Sequence, residues 1–255
     1  MRRTLASIVN RFPKLKRALR GYVRLKAAEA DAEGQRLRNS WQDDDLPHKQ
    51  RKLVEQQLQQ YRVGSSIDVF DVFVTALRAL PLQSSRASLL EIGCSSGFYS
   101  EVVDIAGLCI NYSGCDYSDA FIRMAKEKYP SIDFSVADAT ALHFGDESFD
   151  IVVSGCCLLH IPEYIKAVEE TVRVARGYVV LHRTPVVWGQ PNQWYRKQAY
   201  GVETVEIHFN EPEFLALLAS NQLELIATYT LSEECTDRSR AQGHASRTYV
   251  CRKKK

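Results

Sequence analysis

The stretch Leu89–Tyr99 constrains the fold of this chain more than any other part of the sequence. It opens with the short apolar run Leu89–Ile92, which is typical of a strand buried in a parallel sheet. Gly93 and Gly97 then frame a tight turn, and apolar residues recur at helical spacing from Phe98 to Ile105. Because glycine lets the backbone approach a ligand and the following N–H groups point at it, the pattern predicts a turn that binds a nucleotide-like cofactor.

The spacing of this turn separates two classes of cofactor. A dinucleotide fingerprint requires G-x-G-x-x-G, whereas serine occupies the middle glycine position in Gly93-Cys94-Ser95-Ser96-Gly97. An NAD-dependent oxidoreductase is therefore the less favoured alternative. With Glu91, the turn forms an acidic-x-Gly-x-x-x-Gly pattern that resembles class I S-adenosylmethionine-dependent methyltransferases. This resemblance implies an α/β fold with a doubly wound, mostly parallel seven-stranded sheet, and S-adenosyl-L-methionine as the cofactor.

Length, cysteine content and charge restrict the class of protein. The 255 residues suit one domain with an appendage, and seven scattered cysteines without C-x-x-C spacing predict a reducing, cytoplasmic environment. The sequence shows no apolar run of the roughly 20 residues that cross a bilayer and no signal-peptide core, so we expect a chain that neither spans a membrane nor is secreted.

The basic residues are concentrated at the two ends of the sequence. Residues 1–26 hold nine Lys or Arg and no acid, the last four residues are basic, and the middle holds 20 basic against 31 acidic residues. Positive charge at the ends alone disfavours a bulk nucleic-acid binder.

Residues 1–40 form a predicted basic amphipathic arm. Apolar residues recur at steps of three and four from Leu5 to Tyr22, the opposite face carries Arg and Lys, and Pro13 kinks the helix or begins a second one. This pattern favours a segment lying on an anionic membrane surface, which would make a cytoplasmic protein peripheral at the inner face of the membrane. A helix packed on the domain or on a partner, and a mitochondrial transit peptide, are the alternatives.

Residues 41–82 are predicted to hold two helices, Pro47–Tyr61 and Ser66–Leu80. The first is mostly polar, and the second has enough apolar residues to pack on a sheet before Pro81 stops it. The resemblance to methyltransferases implies that such helices cover the cofactor as a lid. Ordinary packing on the domain is the alternative.

Residues 83–255 form the predicted methyltransferase domain, in which strands and helices alternate as expected for parallel strands with crossover helices. After the first strand, the predicted strands are Ile110–Asp116, Ile132–Val136, Phe149–Ser154, Tyr178–His182, Leu223–Leu231 and Arg247–Cys251. The predicted helices are Ser118–Lys128, Pro162–Ala175 and Glu211–Ser220. An insert rich in aromatics, prolines and turns occupies residues 184–210.

Three strand ends supply the expected cofactor contacts. Asp116 lies 23 residues after Gly93, near the separation at which an acid meets the ribose hydroxyls of a nucleotide. Over residues 86–183 the resemblance further implies that Asp138 lies near the adenine amino group and that residues 154–156 border the methionine end. The predicted cofactor-binding set is Glu91, Gly93, Cys94, Ser95, Gly97, Tyr99, Asp116, Tyr117, Ser118, Asp138, Ala139, Ser154, Gly155 and Cys156.

The residues after the fourth predicted strand disfavour two subclasses of methyltransferase. Enzymes that methylate amide or adenine nitrogen place an Asn/Asp-Pro-Pro-aromatic cluster there, and cytosine C5 enzymes use a Pro-Cys nucleophile. This chain has Ser154-Gly155-Cys156-Cys157. We therefore expect no cysteine nucleophile, no metal, and methyl transfer to oxygen of a small molecule or glycan, such as a lipid-linked glycan.

Methyl transfer from a sulfonium is an in-line displacement that needs orientation and, for a hydroxyl acceptor, a base. His160, His182 and His208 are candidate bases at the carboxyl edge of the sheet or in the insert, with packing as the alternative for each. His182 is marginally favoured because the adjacent Arg183 is suited to an acidic acceptor. The predicted acceptor-binding residues are Arg183, Trp188, Trp194 and Tyr200, unless the insert only packs on the domain or forms a dimer.

Two rival functions remain open from the sequence. An RNA methyltransferase would use the basic ends as an electrostatic arm. A binding protein would hold S-adenosylmethionine without turnover.

Overall fold

The computed structural model describes residues 21–82, 86–235 and 239–254. Most of the predicted arm, residues 1–20, therefore lies outside the described residues. The described helices are α1 (Ala27–Leu37), α2 (Leu46–Arg62), α3 (Asp68–Arg78), α4 (Phe98–Ile105), α5 (Asp119–Lys128), α6 (Tyr164–Val174) and α7 (Glu211–Ser220), with short 3-10 helices at Arg38–Gln42 and Leu158–His160. The described strands are β1 (Val23–Leu25), β2 (Ala87–Ile92), β3 (Ile110–Asp116), β4 (Asp133–Val136), β5 (Phe149–Gly155), β6 (Ala175–Trp188), β7 (Gln193–Ala199), β8 (Val202–Asn210), β9 (Leu223–Cys235) and β10 (Gly243–Lys253).

The strands form one ten-stranded sheet, whose central part has seven strands in the order β4-β3-β2-β5-β6-β10-β9. Strands β8, β7 and β1 extend this sheet from β6. The ladders from β4 to β6 are parallel, and β10 is antiparallel to both β6 and β9. Leu90 of β2 lies between Ser113 of β3 and Val152 of β5, which places the glycine turn at the centre of the carboxyl edge. The predicted doubly wound, mostly parallel seven-stranded sheet is confirmed.

Helices cover both faces of the sheet. Adjacent residues of a strand point to opposite faces, so Leu89 and Leu90 enter different apolar clusters. Leu89 packs with Phe70 and Phe73 of α3, whereas Leu90 belongs to the cluster that holds Val168 of α6. Both faces are therefore closed to water, as the continuous apolar sequence of β2 requires.

The insert is an ordered β-hairpin, so the prediction of a turn-rich region at residues 184–210 is wrong for most of its length. Strand β6 continues to Trp188, β7 and β8 pair antiparallel, and Val186 of β6 pairs in parallel with Phe209 of β8. The physical reason is the alternation of Val205, Ile207 and Phe209, which are all buried.

The N-terminal segment packs on this hairpin. Strand β1 pairs antiparallel with β7, and the hydroxyl of Tyr22 donates a hydrogen bond of 2.8 Å to Glu206 Oε1. Helices α2 and α3, which correspond to the two predicted helices, bury Leu58, Phe70 and Phe73 against the domain. Within the described ranges, no helix is both long and apolar enough to cross a membrane.

Candidate active site

A cavity of about 890 Å³ opens at the carboxyl edge of the parallel strands. Its floor is formed by the ends of β2, β3 and β5 and by Arg183 within β6. Its walls include α2, α3 and the turn of the β7–β8 hairpin. This is the position at which open α/β sheets bind ligands. The predicted cofactor residues that line it are Glu91, Gly93, Ser95, Tyr99, Asp116, Tyr117, Asp138, Ala139, Gly155 and Cys156. Four others, Cys94, Gly97, Ser118 and Ser154, lie behind the lining.

The glycine turn has the geometry that its sequence demands. Gly93 and Gly97 have φ angles of 72° and 73°, in the left-handed region that side chains disfavour. A Cβ atom at Gly93 would overlap the side chain of Cys157, and one at Gly97 would lie 2.6 Å from the ring of Phe134. The backbone of the turn is thus exposed to a ligand on one side and packed without spare room on the other.

Asp116 ties this turn to the end of β3. Its Oδ2 accepts a 2.8 Å hydrogen bond from the backbone N–H of Ser95, and its Oδ1 accepts a 2.9 Å bond from that of Ser118. Burial raises the pKa of Asp116 to about 6. The buried hydroxyl of Ser95 has no hydrogen-bond partner in the part of the chain that the structure describes. A ligand hydroxyl placed beside Asp116 and Ser95 would give the Ser95 hydroxyl a hydrogen-bond partner.

Glu91 is a buried carboxyl at the end of β2. The hydroxyl of Tyr112 donates a hydrogen bond to its Oε2, and a Cβ atom at Gly155 would collide with its Oε1. Burial raises the pKa of Glu91 to about 8. The folded protein therefore favours the protonated form of this carboxyl.

The third strand end meets the N-terminal segment. Asp138 Oδ1 accepts hydrogen bonds from the backbone N–H and the hydroxyl of Thr140, at 2.9 and 2.8 Å, while its Oδ2 pairs with Arg38. The guanidinium of Arg38 also lies 5.4 Å from the ring centre of Tyr117. Arg38 and Trp41, which sequence reasoning did not select, thus close the cavity from the 3-10 helix that follows α1. Arg38 reaches the cavity through its contact with Asp138, and the two residues are far apart in the sequence. No local sequence motif could predict that contact.

Among the three candidate bases, His160 alone lines the cavity. Its Nδ1 lies 2.7 Å from the carbonyl oxygen of Val205, and its ring centre lies 4.8 Å from that of Trp41. A carbonyl oxygen only accepts, so Nδ1 carries the hydrogen and Nε2 keeps the lone pair in the neutral ring. Burial lowers the pKa of His160. The ring is therefore held neutral, in the tautomer that a base requires.

The other two histidines are held inside the fold. His182 Nε2 lies 3.0 Å from the hydroxyl of Tyr99, its Nδ1 lies 2.9 Å from Thr248 Oγ1, and burial lowers its pKa to about 3. His208 Nε2 lies 2.9 Å from Glu206 Oε1. Both nitrogens of His182, the base that the sequence marginally favours, are therefore engaged behind the cavity wall.

Of the four predicted acceptor-binding residues, two line the cavity and two do not. Arg183 and Tyr200 line the cavity, whereas Trp188 and Trp194 do not. Trp188 packs over Gly243 and donates a 3.1 Å hydrogen bond to the carbonyl of Arg240. Trp194 pairs with Leu25 of β1 and packs on the core. Alternation along the strands places these two tryptophans away from the cavity.

Backbone strain is concentrated at this cavity. Ser95, Cys156, Arg183 and Tyr200 have φ angles of 48°, 66°, 60° and 52°, and all four line it. Non-glycine residues in this region are uncommon and persist where the surrounding structure holds them, often at functional sites.

Comparison with known proteins agrees with this geometry. A family described as methyltransferase domain matches residues 90–181, the span from β2 to β6 that carries the glycine turn, Asp116 and Asp138. Residues 90–181 therefore carry a methyltransferase domain. Its cofactor is S-adenosylmethionine, and the glycine turn, the unpartnered Ser95 hydroxyl and the carboxyl groups of Glu91 and Asp116 fit that cofactor.

A curated relative of this chain is the demethylmenaquinone methyltransferase of Paenarthrobacter aurescens. The two are 29% identical over 138 residues, which cover 52% of this chain and 54% of the relative. A second, the demethylmenaquinone methyltransferase of Renibacterium salmoninarum, is 36% identical over 103 residues, covering 40% of this chain and 41% of the relative. The chain thus spans about half the length of the curated relatives it matches.

A solved structure shares the fold. The S-adenosylmethionine-dependent methyltransferase of Methanosarcina mazei superposes with a TM-score of 0.52 at 23% identity, covering 67% of this chain and 93% of that one. This likeness confirms the predicted fold class.

Proposed function

We propose that this chain transfers a methyl group from S-adenosylmethionine to a hydroxyl of a small, ring-bearing acceptor. The observation that carries the proposal is His160, a neutral imidazole on the cavity wall whose Nδ1 is committed to Val205 at 2.7 Å. Its remaining nitrogen has the lone pair that removes a proton from a hydroxyl.

The bound cofactor supplies an electrophilic methyl group on a sulfonium. The chain's own residues bind, orient and shield the reactants, since a displacement of this kind depends mainly on proximity and alignment. Asp116 and the glycine turn hold the cofactor's nucleoside half, and α2 and α3 close the cavity against water. His160 accepts the acceptor's proton at Nε2, while the carbonyl of Val205 holds its ring in place.

A second reaction is favoured by the name of the curated relatives, demethylmenaquinone methyltransferases. When a base removes the proton of a hydroxyl on an aromatic ring, both the oxygen and the neighbouring ring carbons become nucleophilic. His160 in this position would therefore serve either O-methylation or C-methylation. Trp41, 4.8 Å from the ring of His160, supports a flat acceptor more than a glycan, because aromatic faces stack on flat rings.

Membrane binding by the basic arm and a lid formed by α2 and α3 are two further parts of the proposal. The proposal that the basic arm binds an anionic membrane surface from the cytoplasmic side rests on residues 1–26 of the sequence. The lid role of α2 and α3 is supported by their residues on the cavity wall, among them Gln50, Leu53 and Phe70.

Product analysis tests the proposed function. The chain is incubated with S-adenosylmethionine carrying a deuterated methyl group and with catechol, hydroquinone and a set of hexoses. We expect S-adenosylhomocysteine to form with the aromatic hydroxyl compounds, and NMR to assign the label to oxygen or carbon. Cofactor binding without any methylated product, in this panel and in small-molecule extracts, would instead favour a non-catalytic binding protein.

A further inference from the structure

Three cationic side chains line the cavity, and they differ in how their charge is balanced. Arg38 pairs with Asp138 and lies 3.8 Å from Glu163, and Lys197 Nζ lies 2.7 Å from Glu206 Oε2. Over residues 21–82, 86–235 and 239–254, Arg183 has no carboxylate within ion-pair distance. Arg183 is therefore the cation of this wall that forms no ion pair with a described carboxylate.

Arg183 lines the cavity together with Tyr99, Cys156 and Tyr200. The electrostatic effects of Cys156, Tyr99 and Tyr200 raise the pKa of the Arg183 guanidinium above its ordinary value. Arginine does not shed its proton in proteins, so a partly buried guanidinium requires an anion or water as a partner. Its planar donors match the two oxygens of a carboxylate or phosphate.

The backbone holds this cation at the junction of two parts of the cavity. Arg183 has a φ of 60°, and its N–H lies 3.5 Å from Thr248 Oγ1. Cys156 and Tyr99 follow the ends of β5 and β2, where the cofactor binds, whereas Tyr200 belongs to the turn of the β7–β8 hairpin. Arg183 therefore lies between the cofactor side and the hairpin side.

We propose that Arg183 binds a carboxylate or phosphate group of the methyl acceptor, so that the natural acceptor is an anion. This inference rests on the proposed function, because it assigns the hairpin side of the cavity to the acceptor. A bound sulfonium adds a further positive charge to the cavity, whereas the acids Glu91 and Asp116 lie on the cofactor side. An anion on the hairpin side is attracted by both the sulfonium and Arg183.

A binding experiment separates this anion site from the cofactor's own carboxylate. The full chain is saturated with S-adenosylhomocysteine and titrated by calorimetry with 4-hydroxybenzoate, 4-hydroxyphenyl phosphate and the neutral 4-hydroxybenzamide. We expect at least one anion to bind about 10- to 100-fold more tightly than the amide. Arg183→Gln removes that preference and Arg183→Lys keeps part of it. Arg176→Gln, which removes a guanidinium paired with Asp150 at the opposite end of β5, leaves the preference unchanged.

Two results would overturn the inference. In the first, the parent binds the anions no more tightly than the amide, or binds neither. In the second, Arg183→Gln weakens S-adenosylhomocysteine binding as strongly as it weakens the anions, which would assign Arg183 to the cofactor's carboxylate. Because the readout is binding alone, it does not depend on turnover. Failure of methyl transfer is detected separately by product analysis.

Discussion

The imidazole of His160 and the carbonyl of Val205 are joined at 2.7 Å, which ties the end of the 3-10 helix after β5 to the middle of β8. One contact therefore fixes both the position of the ring and its tautomer.

We expect His160→Gln to lower the methyl-transfer rate by about 10²- to 10⁴-fold, because the base is lost. Affinity for S-adenosylhomocysteine should stay within about twofold, as measured by calorimetry.

His182→Gln and His208→Gln are the matched controls for this substitution. Their rates, normalised to folded protein, should remain near that of the parent, because neither ring lines the cavity. A parental rate in His160→Gln, or a loss confined to His182→Gln, would assign the proton transfer elsewhere.

The pH profile of kcat/KM for the acceptor, measured with S-adenosylmethionine saturating so that the cofactor site is filled, reports the same group. A base works in its neutral form, and burial lowers the pKa of His160 below its ordinary value of 6.5. Activity should therefore persist as the pH falls below 6.5 and decline only through the lower pKa of the folded protein. The acid limb should disappear in His160→Gln. An acid limb above pH 7 would conflict with this assignment.

The buried carboxyl of Glu91 gives a stability prediction. Its pKa is about 8 in the folded protein against 4.5 unfolded, so the unfolded chain releases the proton first. Between these values, the stability of the ligand-free parent should fall by roughly 1.4 kcal/mol per pH unit from this group alone, and the loss should be complete above pH 8. Glu91→Gln removes the effect. The difference in free energy of unfolding between variant and parent should thus grow from pH 6.5 to pH 8, and a constant difference would refute it.

The predicted membrane arm can be tested without disturbing the domain. Because Tyr22 bonds to Glu206 and β1 pairs with β7, the deletion should remove residues 1–20 only. We expect the parent to float with anionic liposomes and the deletion variant to stay in solution, with binding of the parent weakened by salt. Equal flotation of the two proteins, or of neither, would remove the membrane hypothesis.

The sequence predicted the central sheet because its signals are local. The apolar run of β2 and the glycine turn Gly93–Gly97 each lie within a few residues, and Ser118, predicted to open a helix, caps the start of α5 by accepting from the N–H of Phe121. The acids at the strand ends follow from the same periodicity. These elements were therefore predicted to within a few residues.

The acceptor side could not be predicted in the same way. Whether His160 or His182 faces the cavity depends on the extra turn after β5 and on the hairpin that brings Val205 to His160. Trp41 and Arg38 reach the cavity from a segment more than 90 residues away from Asp138 in the chain. Only tertiary packing decides such contacts, although the alternation in β8 was a missed local signal.

The most direct test of the account is the affinity of S-adenosylhomocysteine for the parent and for Asp116→Asn, with NAD as the comparison ligand. Asp116→Asn is preferable to substitution of Gly93, because any side chain there would overlap Cys157 and impair folding. Asp119→Asn, in the exposed first turn of α5, is the matched control. We predict that the parent binds S-adenosylhomocysteine but not NAD, that Asp116→Asn binds it on the order of 10²-fold more weakly, and that Asp119→Asn binds like the parent. A parent that binds NAD instead, or an Asp116→Asn variant with parental affinity, would contradict the assignment of this cavity to S-adenosylmethionine.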